Sequence, residues 1–107
     1  MQHPQLKSIL QAVKDHLSSY YRERLKALIL YGSQAREESH EFSDIDILVV
    51  LKGSINPYQE IDNTSQFIAQ ISLEHDVLIS RHFVSFDKFD SSDTPFLHNV
   101  KAEGVWL

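Results

Sequence analysis

The chain has 107 residues, 42% hydrophobic and 23% charged, a composition that excludes a disordered polymer and a length that suits one globular domain and not two. Ten Lys and Arg stand against fifteen Asp and Glu, a formal charge of -5 with no basic cluster along the chain, so nucleic acid held through its phosphates is not an expected partner. The absence of cysteine removes disulfides and thiolate zinc sites, and no window approaches the ~18 apolar residues of a membrane span. Met1 to Lys14 contains no uninterrupted apolar stretch. A cytoplasmic protein with no membrane partner is the expectation.

Leu6, Ile9, Leu10, Val13, Leu17, Tyr20 and Tyr21 recur at spacings of three and four, which predicts an amphipathic helix with Pro4 in its first turn. Lys26 to Tyr31 (KALILY) is a short apolar run stopped by Gly32 and reads as a buried strand, followed by a polar stretch from Ser33 to Ser43. Asp44 to Leu51 (DIDILVVL) is β-branched and, after its two acids, apolar on both faces, as a central strand covered on both sides would be. Asn56 and Pro57 form an N-cap and first turn with Gln59 three residues past the cap, opening a helix with Ile61, Ile68 and Ile71 on one face. Leu73 to Ser80 (LEHDVLIS) reads as a further strand with Asp76 inside it. Thr94-Pro95 opens a short helix with Leu97 and Val100 inward and Gly104 at its end, after which Val105 to Leu107 return to a sheet edge. This order implies a small α/β or α+β domain whose sheet carries helices on at least one face.

Two acids begin the most hydrophobic strand. Residues two apart on a strand share a face, with Cα atoms about 6.5 Å apart, so Asp44 and Asp46 project together from one sheet edge and favour a cation between them. If the strand holding Asp76 is a neighbour, that acid joins the pair, and three carboxylates make a hard oxygen site suited to Mg²⁺ or Mn²⁺. Upstream, Gly32-Ser33 follows a strand and precedes a helix-like turn, a setting in which free N–H groups and a hydroxyl can receive a phosphate. A phosphate cradle beside a carboxylate metal site suggests metal-assisted transfer of a nucleotidyl group. Each piece alone also has a structural use: an Asp at a strand start can be a turn or capping residue, and an acid inside a strand can face water.

Gly32-Ser33, ten residues, then Asp44-Ile45-Asp46 matches the GS-x10-DxD signature of the DNA polymerase β-like nucleotidyltransferases. The stretch LILYGSQAREESHEFSDIDILVVL, with Ala35-Arg36 and Ser43, and the tail TPFLHNVKAEGVWL resemble the minimal nucleotidyltransferases of that superfamily, over most of Leu28 to Leu107. The resemblance implies one such domain over residues 1–107, a small mixed sheet flanked by helices. It also implies that Asp44 and Asp46 bind two Mg²⁺ ions and that Asp76 binds the catalytic one and helps deprotonate the attacking hydroxyl. Gly32 and Ser33 would hold the β and γ phosphates of ATP; Arg36 adds a phosphate contact or is a surface, salt-bridged residue. Glu37 departs from the glycine many relatives carry and, with Glu38 and Glu41, makes the loop acidic.

Minimal nucleotidyltransferases are commonly paired with a HEPN-domain ribonuclease toxin, which the family can neutralise by moving AMP from ATP onto a tyrosine near the toxin's active site. The resemblance thus implies an antitoxin that is a protein adenylyltransferase, and a chain too short for its own acceptor-binding module can use a protein as acceptor. Two other readings stand beside it: a non-catalytic antitoxin that occludes its partner, and a transferase acting on a small hydroxylated molecule. His3, His16, His40, His75, His82 and His98 show no ligand spacing and read as structural or surface residues, His40 being the one best placed to differ. Tyr20, Tyr21 and Tyr58 read as packing residues, Tyr31 as a wall of the site, and Phe96 and Trp106 as core in preference to an anchor on a partner.

Overall fold

The computed structural model describes residues 5–32, 34–35 and 44–107. Helix α1 (Leu6–Tyr21) leads through a 3-10 turn (Arg22–Arg24) into β1 (Leu25–Tyr31), and β2 (Ile45–Leu51), α2 (Pro57–His75) and β3 (Ile79–Ser85) follow. Two short helices, α3 (Phe86–Ser91) and α4 (Pro95–Glu103), precede β4 (Val105–Trp106). The sheet runs β3-β2-β1-β4. β2 and β3 are parallel, joined by the α2 crossover that parallel pairing requires, while β1 pairs antiparallel with both β2 and β4. This is the small mixed sheet of the expected α/β class.

Both faces of the sheet are covered. Ile45, Ile47, Val49 and Leu51 of β2, with Leu28 and Leu30 of β1, pack against Ile9, Val13 and Leu17 of α1 and Ile68 and Ile71 of α2. Leu48, Val50 and Ile29 pack the other way, against Phe89, Leu97 and Val100 of α3 and α4. The period of two along a strand divides β2 between two cores, which explains its uninterrupted apolar run.

Local signals set most of the boundaries. The Asn56 side chain accepts hydrogen bonds from the Tyr58 and Gln59 amides, with Pro57 in the first turn, and Thr94 does the same for Leu97 ahead of Pro95. Helix α3, for which the sequence raised no expectation, is capped by Ser85 onto the Lys88 amide.

The expected strand over Leu73 to Ser80 is corrected. Helix α2 continues to His75 because the buried stripe Glu60, Thr64, Ile68, Ile71 keeps helical spacing, and Leu73, 85% exposed, lies on its outer side. Asp76 is the C-cap of α2, with φ 50 and ψ 52, its N–H donating to the Ser72 carbonyl. Aspartate tolerates this left-handed conformation better than most residues, so it can end the helix where glycine usually would. Ile61 also leaves the expected face, since Glu60 and Thr64 occupy the buried positions beside it. Tyr20, Tyr58, Phe96 and Trp106 are exposed and not core, although Trp106 packs edge-on to Phe89. Tyr21 is buried as expected, its hydroxyl donating to Glu60 Oε1 at 2.7 Å. Pro4, Ser33, Arg36, His40 and Ser43 lie outside the described residues.

Candidate active site

β1 ends and β2 begins at the same sheet end, with Tyr31 and Asp46 as register partners. The chain leaves β1 through Gly32 at φ +76. A Cβ built on Gly32 would lie 2.5 Å from Asp46 Oδ2, so glycine is demanded twice, by backbone conformation and by the carboxylate that fills its side-chain space. Asp44 stands exposed one residue ahead of β2, where the Ile45 amide donates to the Leu78 carbonyl at 2.9 Å and fixes the strand start against β3.

Asp46, half-buried, carries its charge at a cost. Burial pushes its pKa above the ordinary value, the negative charge of Asp44 adds to the rise, and His82 opposes both. Without a cation the site therefore makes the ionised form of Asp46 more costly than it is in water. A divalent ion would relieve the same repulsion, and two carboxylates, one exposed and one half-buried, supply hard oxygen donors to an ion such as Mg²⁺.

Alternation on β3 brings Ser80, His82 and Val84 to the face of Asp46, Leu48 and Val50, with Asp46 paired to Ser80 and Leu48 to His82. There the Tyr31 hydroxyl and His82 Nδ1 are hydrogen-bonded at 2.7 Å. Burial, and then the charge of Asp46, push the Tyr31 pKa up to about 12, so Tyr31 keeps its proton at physiological pH. Phe96 of α4 packs edge-on to Tyr31 with centroids 5.3 Å apart and lies 5.6 Å from His82. Between Gly32 and α4 opens a pocket of about 200 Å³, lined by Tyr31, Gly32, Phe96, Asn99, Val100 and Glu103.

The structure thus unites Gly32, Asp44 and Asp46 at one sheet end, with Tyr31 as a wall. It does not bring Asp76 to them within a strand; among the described residues no three His, Cys, Asp or Glu groups gather closely enough to hold a metal ion. Ser33 and Arg36 fall outside the described residues. His82 and Phe96 are the residues that sequence reasoning placed elsewhere. The histidine could have been found by counting alternate positions along a correctly bounded β3, whereas the contact with Phe96 is purely tertiary.

A family model described as polymerase beta, nucleotidyltransferase matches residues 11–107. A protein of Methanocaldococcus jannaschii, named provisionally as a protein adenylyltransferase, is 30% identical over 97 residues, covering 91% of this chain and 93% of its own. A second protein of that organism with the same provisional name is 36% identical over 89 residues, covering 82% and 83%. Among solved structures, a nucleotidyltransferase provisionally assigned in Sulfolobus solfataricus superposes with a TM-score of 0.62 at 22% identity, over 95% of this chain and 80% of that one. A toxin–antitoxin structure with AMP-PNP superposes with a TM-score of 0.60 at 20% identity, over 90% of this chain and 69% of that one. Likeness at these identities establishes a shared fold.

Proposed function

The chain belongs to the polymerase β nucleotidyltransferase family, and from that membership we propose that residues 1–107 form a minimal nucleotidyltransferase domain that moves AMP from ATP onto a tyrosine of a HEPN ribonuclease toxin, for which it is the antitoxin. Support comes from the two relatives named for protein adenylyl transfer and from a fold shared with a toxin–antitoxin structure with AMP-PNP. The observation that carries the chemistry is the Asp44 and Asp46 pair set against the Gly32 turn, whose missing side chain leaves a carboxylate directly beside the backbone.

In the proposed reaction the acceptor's phenolic oxygen bonds to the α-phosphorus of ATP. The bond from that phosphorus to the bridging oxygen breaks, pyrophosphate leaves, and the phenolic proton is released. Asp44 and Asp46 would hold Mg²⁺, which when bound neutralises charge on the phosphates and favours the deprotonated acceptor. Gly32 and Ser33 would receive the β and γ phosphates through the turn's N–H groups and the serine hydroxyl, and Arg36 would add a phosphate contact. Tyr31, held protonated and tied to His82, walls the site and stays an onlooker to proton transfer. Asp76, fixed at the α2 cap, is given no ligand bond here. A reaction drawing on ATP would proceed in the cytoplasm; among the described residues no helix is long and apolar enough to cross a membrane.

Intact mass spectrometry of a HEPN protein offered as acceptor, after incubation with this chain, ATP and Mg²⁺, tests the reading. Mass gains in whole AMP units, absent with D44A/D46A protein, are expected. No gain from a partner that nonetheless co-purifies with this chain would overturn it in favour of neutralisation by occlusion.

A further inference from the structure

We infer that the crevice at the carboxyl ends of β2 and β3, at the sheet end opposite Asp44 and Asp46, binds a stretch of single-stranded nucleic acid, with phosphates held by Lys26, Lys52 and Lys88 and bases stacked on Tyr58 and Phe86. No residue of the transfer site takes part, so the two sites are tested separately.

Topology opens the crevice. β2 and β3 run parallel and finish together, with Leu51 paired to Ser85. From there the chain departs to opposite faces: β2 leads into α2, which packs beside α1, and β3 leads into α3, whose Phe89 packs on the other side. Such a divergence leaves a gap outside the strand ends, which is where open α/β sheets receive ligands. Here the gap is a cavity of about 480 Å³, walled by Gly53, Ser54, Pro57, Ser85, Asp87 and Lys88, and it exceeds twice the volume of the pocket at Gly32.

The backbone along one wall is open to a ligand. Gly53 turns the chain at φ +85 with nothing within 4 Å of the place a Cβ would take, so a ligand can lie directly against it. The amides of Gly53, Ser54 and Ile55 donate to no other described residue, which leaves three N–H groups for an anion beside Lys88.

Charge selects the class of partner. Arg24, Lys26, Lys52 and Lys88 are dispersed along the sequence, and the fold gathers them. The Lys52 amide donates to the Arg24 carbonyl at 2.7 Å, Lys26 Nζ stands 5.8 Å from the centre of the Phe86 ring, and Lys88 lines the cavity. All four are exposed, and among the described residues none is ion-paired, although the chain carries fifteen acids. Asp87 is the one carboxylate among the described residues of the cavity wall. An acidic body with one basic end steers a polyanion to that end and repels it from Asp44 and Asp46.

Aromatic exposure and reach distinguish a strand from a lone anion or an acidic peptide. Phe86 is 39% exposed and Tyr58 84%, and they adjoin the wall residues Ser85 and Pro57 in the chain, so both flank the cavity with ring surface that bases can stack on. Leu25, Leu51 and Ser85 mark three neighbouring strand ends, ~10 Å from first to third, a span that one phosphate leaves empty and a strand fills.

Fluorescence anisotropy of a labelled oligouridylate about ten nucleotides long, titrated with the full chain over a series of salt concentrations, tests the site. Binding is expected at low salt, falling with a log–log slope of about −2 to −3, as three or four phosphate contacts on a single strand require. K52E/K88E is expected to weaken binding at least about tenfold and to flatten the slope, whereas Y58L and F86L each weaken it roughly fivefold with the slope kept. Every substituted position is exposed, and circular dichroism with thermal melts verifies that each variant is folded. Binding unchanged in K52E/K88E overturns the site, as does no binding by the folded wild-type chain at low salt. Displacement of the oligonucleotide by polyglutamate of matched charge, or by tripolyphosphate, would assign the surface to an acidic polypeptide or a small anion and overturn the nucleic-acid reading. Amide resonances of Ser54 and Lys88 that shift with oligouridylate while that of Asp46 stays would tie binding to this end; the reverse pattern moves the strand to the transfer site and overturns the assignment.

Discussion

On the α1 and α2 side of the sheet, β2 places Ile45, Ile47, Val49 and Leu51 into a core that also holds a closed polar network. Tyr21 donates to Glu60 at 2.7 Å, the Thr64 hydroxyl donates to the Glu60 carbonyl at 2.9 Å, and Arg81 donates to Thr64 Oγ1 at 2.8 Å and the Ile61 carbonyl at 2.7 Å. On the α3 and α4 side the same strand places Asp46, Leu48 and Val50 over a smaller cluster. The first side satisfies its own polar groups, and its interactions serve stability. The second ends in a carboxylate pushed toward protonation by its surroundings, an arrangement that a ligand completes. One strand serves both sides because its alternate residues never share an environment.

If that division is right, substitutions at the site end should trade activity against stability in ways the α1 and α2 side cannot reproduce. The largest effect is expected from D44A/D46A. Losing the metal-holding pair removes several kcal/mol of charge stabilisation, roughly a thousandfold or more in transfer rate, while relief of repulsion leaves the apo fold at least as stable. A quantitative AMP-transfer assay beside a urea titration checks both halves. Gly32→Ala comes next: a positive φ and a blocked Cβ position cost about 1–3 kcal/mol and displace Asp46, so both Tm and transfer fall.

The pH dependence of the metal-free protein sharpens the comparison. Because the folded-state pKa of Asp46 is raised, the native state holds a proton that the unfolded chain has already lost. Stability therefore declines as pH rises from the unfolded value through the folded one, and D46N should flatten that slope. Thermal melts across the acidic range, with chelator and then with Mg²⁺, measure it; Mg²⁺ should restore the wild-type protein and leave D46N unmoved.

The smallest effect belongs to Asp76→Asn. Asparagine accepts the left-handed cap as readily as aspartate, so stability should change by less than ~0.5 kcal/mol and transfer should stay within about threefold. A loss comparable to that of D44A/D46A would return Asp76 to the metal site.

Much of this was legible in the chain because the deciding signals were local. The Asn56-Pro57 and Thr94-Pro95 caps, the Gly104 stop and the two-sided apolar run of β2 each act within a few residues, and Gly32 and the two acids, picked out by their spacing, do lie at one sheet end. LEHDVLIS was misread because a helix end and a strand start share one short apolar run, where periodicity cannot separate them. The Glu60 and Thr64 stripe was missed because burial of polar residues depends on partners in other elements, Tyr21 and Arg81. Tyr31, His82 and Phe96 meet only after the sheet has formed and α4 has packed on it.

The central claim, that Asp44 and Asp46 at the end of β2 form the metal and nucleotide site, is tested most directly by titrating ATP into the wild-type chain and into D44N/D46N, each with Mg²⁺ and with chelator. The account predicts binding to the wild-type chain that requires Mg²⁺, and none to a folded D44N/D46N chain. Equal binding by the two chains, or binding by the wild-type chain indifferent to Mg²⁺, would contradict it.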